Sequence, residues 1–212
     1  MNVKEQVAKG LLSIEAVFLR PEDPFTWTSG IKSPIYCDNR LTLSSVPVRT
    51  LIEESFAKLI KEEYPTCEVI MGTSTAGIAH AAITAHLLDL PMGYVRGSAK
   101  GHGRENQIEG KLNKGDKVVV IEDLISTAGS VIEVVEVLRE AGAEVLGIAS
   151  IFTYQMQKAA ERFKAADVVN ISLSDFETLV EVAAKEGYIA PSAIEKLMAF
   201  RSNPSDASWM DL

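Results

Sequence analysis

Residues 118–130, V-V-V-I-E-D-L-I-S-T-A-G-S, restrict the fold of this chain more than any other stretch. Val118, Val119, Val120 and Ile121 form a β-branched apolar run suited to a strand buried on both faces. Glu122 and Asp123 follow at once, and then the small, hydroxyl-rich turn Ser126, Thr127, Ala128, Gly129, Ser130. Val131, Val134, Val135 and Leu138 recur after it at helix spacing. A buried strand that ends in acids, turns through small residues and opens a helix is suited to phosphate. The turn offers backbone N–H groups and hydroxyls, and the helix N-terminus a partial positive charge. The adjacent acids are placed to hold sugar hydroxyls or to face a hydrated metal. An ordinary buried strand with a capped helix would account for the valines and Ser130, but not for two neighbouring carboxylates at the end of a buried strand.

The same joint occurs upstream. An apolar stretch at 68–72 leads into G-T-S-T-A-G-I at 72–78 and then a helical pattern to 88, so Thr73, Ser74, Thr75, Ala76 and Gly77 form a second small-residue turn. One such turn is a common linker. Two in one alternating pattern carry more, because ligands of open parallel sheets lie at the carboxyl ends of the strands. Strand patterns at 68–72, 92–95, 118–121, 145–152 and 168–171 alternate with helical ones between about 45 and 171, the first capped by Ser44 or Ser45. The expectation is an α/β fold: an open parallel five-stranded sheet with helices on both faces. Outside this rhythm fall residues 1–44, expected to form a small hood over the ligand edge with part of the C-terminal region. Residues 45–172 form the core. Residues 173–212 supply C-terminal helices starting near Asp175 and Ser192, and a loose tail from 202.

Two further stretches carry polar chemistry. Residues 25–40 place Lys32, Tyr36, Asp38 and Arg40 among aromatics around Gly30 and Pro34, in a hairpin or two irregular strands. A purely structural cover would look similar. Residues 96–110 hold four glycines and the cations Arg96, Lys100, His102 and Arg104. A glycine-rich loop of this length is commonly functional, although a solvated surface loop has the same composition. His80, His86, Trp27 and Tyr154 read as packing or surface residues.

The chain has 212 residues and a net charge of −8, against a general nucleic-acid surface. Residues 1–14 are amphipathic and interrupted by Lys4, Glu5 and Lys9, so they read neither as a signal peptide nor as a membrane span. Cys37 and Cys67 lack metal-ligand spacing, and reduced thiols in the cytoplasm are the expectation.

Four blocks, at 25–36, 72–78, 94–110 and 122–130, resemble in order the motifs of the type I phosphoribosyltransferases. The last block gives the superfamily; the first and third together resemble the orotate phosphoribosyltransferases. The resemblance implies transfer of ribose 5-phosphate from phosphoribosyl diphosphate to orotate, yielding orotidine 5′-monophosphate and diphosphate in UMP biosynthesis. It implies that residues 126–130 hold the 5′-phosphate, that Glu122 and Asp123 face the ribose hydroxyls, and that residues 73–77 hold the diphosphate. Orotate would sit near Lys32 and Tyr36, with Ser126 in reach. Arg96, Lys100 and His102 would act on the leaving group. Mg²⁺ would bind mainly through substrate phosphates, with no protein metal cage. A homodimer is implied, with loop 96–110 closing on the neighbouring site.

Three positions depart from the family pattern. Gly97 and Ala76 stand where many members carry lysine, and Ala128 where glycine is usual. A positive φ at Ala128 would cost about 1–2 kcal/mol. These departures keep a catalytically silent nucleotide-binding regulator in view, and the same phosphate turns would also serve a transferase for another base, against which residues 25–36 and the loop at 100–103 speak.

Overall fold

The valine-rich run lies inside a six-stranded sheet in the computed structural model, which describes residues 1–27, 30–97 and 107–212. The chain enters through α1 (Val3–Ser13) and four short strands, β1 (Val17–Leu19), β2 (Phe25–Thr26), β3 (Lys32–Ser33) and β4 (Ile35–Cys37). There follow α2 (Val46–Glu63), β5 (Val69–Thr73), α3 (Gly77–Leu88), β6 (Met92–Val95), β7 (Ile108–Glu109), β8 (Lys117–Ile125) and α4 (Gly129–Glu140). Then come β9 (Glu144–Thr153), α5 (Gln157–Ala165), β10 (Asn170–Asp175), α6 (Phe176–Lys185) and α7 (Ala193–Ser202).

The sheet order is β10-β9-β8-β5-β6-β7. The β10–β9, β9–β8, β8–β5 and β5–β6 pairs are parallel, so the expected five parallel strands form. The strand count is six rather than five, because β7 adds an antiparallel edge through Tyr94↔Glu109 and Val95↔Ile108. A two-residue strand leaves no period to read in a sequence. Alternation sorts side chains to two faces. Val119 and Ile121 join a cluster with α1, α2, α3 and α6, whereas Val118 and Val120 join one with α4. Helices thus cover both faces, which is why the run reads as continuously apolar.

Strand β8 extends to Ile125, past the expected end at 121, because β9 keeps pairing with it through Glu122↔Ser150 and Leu124↔Phe152. The two acids therefore lie within the strand. Strand β10 likewise runs to Asp175 rather than 171. Ser45 is the N-cap of α2 but makes no side-chain cap bond.

Residues from both ends of the chain pack on one face. Helix α1 lies against α6 and β10, and Lys4 Nζ meets Asp175 Oδ2 at 2.6 Å. Strand β1 pairs with β4, and β2 with β3. Trp27, Tyr154, Phe152, Phe176, Phe200 and Trp209 form an aromatic cluster with ring centroids 5.7–6.5 Å apart. The expected loose tail is instead docked: Ala207–Asp211 forms a 3₁₀ turn and Trp209 is only 2% exposed. Burial of an indole outweighs the ordering of a few polar residues. Among the described residues no helix is long and apolar enough to cross a membrane. Cys37 and Cys67 are unpaired, and burial pushes both thiols up, Cys67 to about 11.

Candidate active site

Parallel pairing brings the carboxyl ends of β5, β6, β8 and β9 to one edge. The register Gly72↔Ile121 sets Thr73 beside Glu122 across the β5–β8 pair. Thr73 Oγ1 donates to Glu122 Oε1 at 2.8 Å, and the same oxygen accepts the Asp123 N–H at 2.9 Å. Burial, and then the neighbouring Asp123, pushes the Glu122 carboxyl up to about 8. Close packing of the two units needs Gly77, since a Cβ there would lie 2.6 Å from the Ile121 carbonyl oxygen.

A cavity of about 390 Å³ opens at this edge. Thr73, Ser74, Thr75 and Ala76 line one side, Glu122, Asp123 and Ser130 another, and Arg96 and Gly97 a third. The Ser74–Thr75 peptide is cis. Arg96 is fastened by its backbone: its N–H donates to the Gln107 carbonyl at 2.8 Å, and Gln107 Nε2 donates back to the Arg96 carbonyl at 3.1 Å. Its Nε lies 3.3 Å from Glu109 Oε1.

Both helices that begin at the cavity lack a side-chain cap. The N-cap residues of α3 and α4 are Ala76 and Ala128; α2, α5 and α7 also lack a side-chain cap bond, whereas Asn2 of α1 and Asp175 of α6 make one. Alanine is among the poorest N-caps, by about 1 kcal/mol. Here it leaves first-turn N–H groups with no side-chain acceptor at the rim of a polar cavity. Ala128 adopts φ 62°, ψ 7°, the left-handed conformation foreseen as a cost, and its methyl is buried.

The remaining described candidates do not line the cavity itself. Ser126 Oγ lies 3.9 Å from Met156 Sδ. Thr127 is bonded to Arg162, and Gly129 begins α4 next to that guanidinium. Lys32 Nζ donates to Thr26 Oγ1 at 2.8 Å, and the 44%-exposed Tyr36 meets Phe25 with the rings tilted by 42°; neither lines the cavity. Lys100, His102 and Arg104 lie outside the described residues. Three contributors were not read from the sequence. Gln107 and Glu133 line the cavity, and Arg162 comes from α5, with no motif to mark it.

The N-terminal segment touches the same edge. Asn39 Nδ2 donates to the Asp123 carbonyl at 2.7 Å, while its Oδ1 takes the Cys37 thiol at 3.3 Å. Behind it, His80 is structural: its ring bonds Glu53 at 2.6 Å and Thr42 at 3.3 Å, all three buried. Among the described residues no group of three or more His, Cys, Asp or Glu side chains could hold a metal.

Two uncapped helix starts and adjacent acids at the carboxyl edge of a parallel sheet are the arrangement of a phosphoribosyltransferase, and the family model for the phosphoribosyl transferase domain matches residues 46–186. A curated orotate phosphoribosyltransferase of Bacillus cereus (strain B4264) is 60% identical over 98% of this chain and 99% of its own length. The chain belongs to the orotate phosphoribosyltransferase family. Among solved structures it is similar to orotate phosphoribosyltransferase from Aeropyrum pernix, with TM-score 0.75 and 29% identity over 87% of this chain and 99% of that one. It is also similar to Leishmania donovani UMP synthase, with TM-score 0.79 and 27% identity over 93% of this chain and 42% of that one.

Proposed function

We propose that this chain transfers ribose 5-phosphate from phosphoribosyl diphosphate to orotate, forming orotidine 5′-monophosphate and diphosphate on the route to UMP. The observation that carries this reading is the 60% identity to a curated orotate phosphoribosyltransferase over 98% of the chain. The bond from ribose C1 to the diphosphate oxygen breaks and the leaving diphosphate takes the electron pair; the bond from C1 to a ring nitrogen of orotate forms, and the proton of that nitrogen is released to solvent. Residues 126–130, at the start of α4, receive the 5′-phosphate. Residues 73–77, at the start of α3, receive the diphosphate, and Glu122 and Asp123 accept the ribose hydroxyls. Arg96, Lys100 and His102 stabilise charge that grows on the leaving group. Gly97 and Ala76 leave this task to fewer cations. The adjacent acids Glu122 and Asp123 at the cavity wall would suit a hydrated Mg²⁺. Bound through substrate oxygens, it would neutralise diphosphate charge.

Residues 1–44, with part of the C-terminal region, serve as the hood over the base site near Lys32 and Tyr36. Residues 45–172 serve as the core and 173–212 as the closing helices and tail. The Asn39–Asp123 bond and the Trp27–Tyr154 contact at this edge support that assignment. The active form is a homodimer in which loop 96–110 closes over the partner's site, and it works in the cytoplasm. Incubation with orotate, phosphoribosyl diphosphate and Mg²⁺ should consume the ultraviolet absorbance of orotate. No loss at high protein concentration would sink the reading, and preference for a purine base in a competition assay would redirect it.

A further inference from the structure

Arg162 reaches from α5 to a turn 35 residues earlier in the chain. Its Nη1 donates to the Thr127 carbonyl at 2.7 Å and to the Thr127 hydroxyl at 3.0 Å. Gly129 makes room for it: a Cβ at that position would lie 2.9 Å from the same nitrogen. The guanidinium is half-buried, and among the described residues no carboxylate forms an ion pair with it. A turn can direct its N–H groups at an anion only if its carbonyls point away, and an outward carbonyl in a packed turn needs a donor. Ala128 follows directly, in a left-handed conformation that side-chain-bearing residues disfavour. Arg162 thus satisfies the carbonyl that enters the strained residue and leaves a net positive charge behind the turn.

We infer that Arg162 is a positioning residue for the 5′-phosphate end of the site: it holds residues 127–129 in their anion-receiving form and adds attraction without touching the sugar. This rests on the transferase reading above. The test is calorimetric titration of wild type, Arg162→Ala and Arg162→Lys with ribose 5-phosphate and, separately, with inorganic diphosphate, alongside thermal melts and steady-state kinetics. Arg162→Ala should weaken ribose 5-phosphate binding about tenfold or more and raise KM for phosphoribosyl diphosphate, with diphosphate affinity and the orotate KM within about twofold of wild type. Arg162→Lys should recover part of the loss, since it returns the charge without the fork. Unchanged ribose 5-phosphate affinity in Arg162→Ala would overturn the inference, as would parallel loss of both ligands with a lowered melting temperature. Wild type that neither binds ribose 5-phosphate nor consumes orotate would instead overturn the transferase reading, and the inference with it.

Discussion

Glu122 is held in a setting that opposes its charge. Its carboxyl, pushed up to about 8 by burial and by Asp123, has an ordinary value of 4.5 in the unfolded chain. Between those two pH values the folded state keeps a proton that the unfolded state releases. As far as this group is concerned, stability is therefore greatest below pH 4.5 and falls as pH rises from 4.5 towards 8. Glu122→Gln should remove that slope and stabilise the ligand-free protein at pH 8 by on the order of a few kcal/mol. Urea denaturation at pH 5 and pH 8 checks it, and an unaltered slope in the variant would refute the assignment. The same substitution should impair turnover, because the amide keeps an acceptor oxygen for the ribose hydroxyls but cannot carry the negative charge that the carboxylate offers when ionised. Ala128 is a different case. Its left-handed backbone costs about 1–2 kcal/mol, yet glycine there would lose a buried methyl worth about 0.8 kcal/mol and enlarge unfolded-state freedom by about 0.4–1 kcal/mol. These terms nearly cancel. Ala128→Gly should change stability by less than about 1 kcal/mol and keep or improve affinity for phosphoribosyl diphosphate. A clear loss of affinity would mean that the alanine itself shapes the turn.

At the scale of elements, only α1 and α6 among the described α-helices carry hydrogen-bonded side-chain caps, and α3 and α4 start uncapped at the cavity. Asp175 takes the Thr178 N–H and the Lys4 ammonium together. Burial alone would push its carboxyl up, but Lys4 and Thr178 outweigh it and hold the group below its ordinary value. Asp175→Ala should cost about 1–3 kcal/mol, from the lost cap and an orphaned ion-pair partner, measured by denaturant midpoint. The C-terminal turn is a second case. Trp209 closes the aromatic cluster against Phe200, at 5.7 Å between ring centroids. Trp209→Ala should cost about 3–5 kcal/mol. An unshifted melting curve would restore the expectation of a loose tail.

For the whole molecule, one packing problem is solved by bringing both chain ends to the sheet. Val7, Leu11, Ile35, Phe56, Ile121, Leu179, Phe200 and Trp209 belong to a single buried cluster. The N-terminal segment that meets Asp123 is thus anchored by the C-terminal helices. The proposed dimer makes a prediction at this scale. Lys100→Ala and Asp123→Asn should each lower turnover by orders of magnitude without unfolding the chain. Mixing the two after subunit exchange should restore part of it, because one mixed site receives an intact loop and an intact floor. Failure to recover activity, with exchange verified, would place the loop on its own subunit's site.

Several features were legible in one dimension because short-range patterns encode them. The β-branched run marked a strand buried on both faces, helix spacing marked α2, α3 and α4, and small residues before each helix marked the two turns. The sequence by itself therefore determined an alternating α/β fold and the residue types at its ligand edge. Tertiary structure decided what those residues meet. Thr73 bonds Glu122 across 49 positions, Arg162 bonds Thr127 across 35, and His80 is buried against Glu53 across 27. No local period names such partners. Sheet register, helix packing and the exclusion of water choose them, and the same forces extended β8 through its acids, added β7 and docked Trp209.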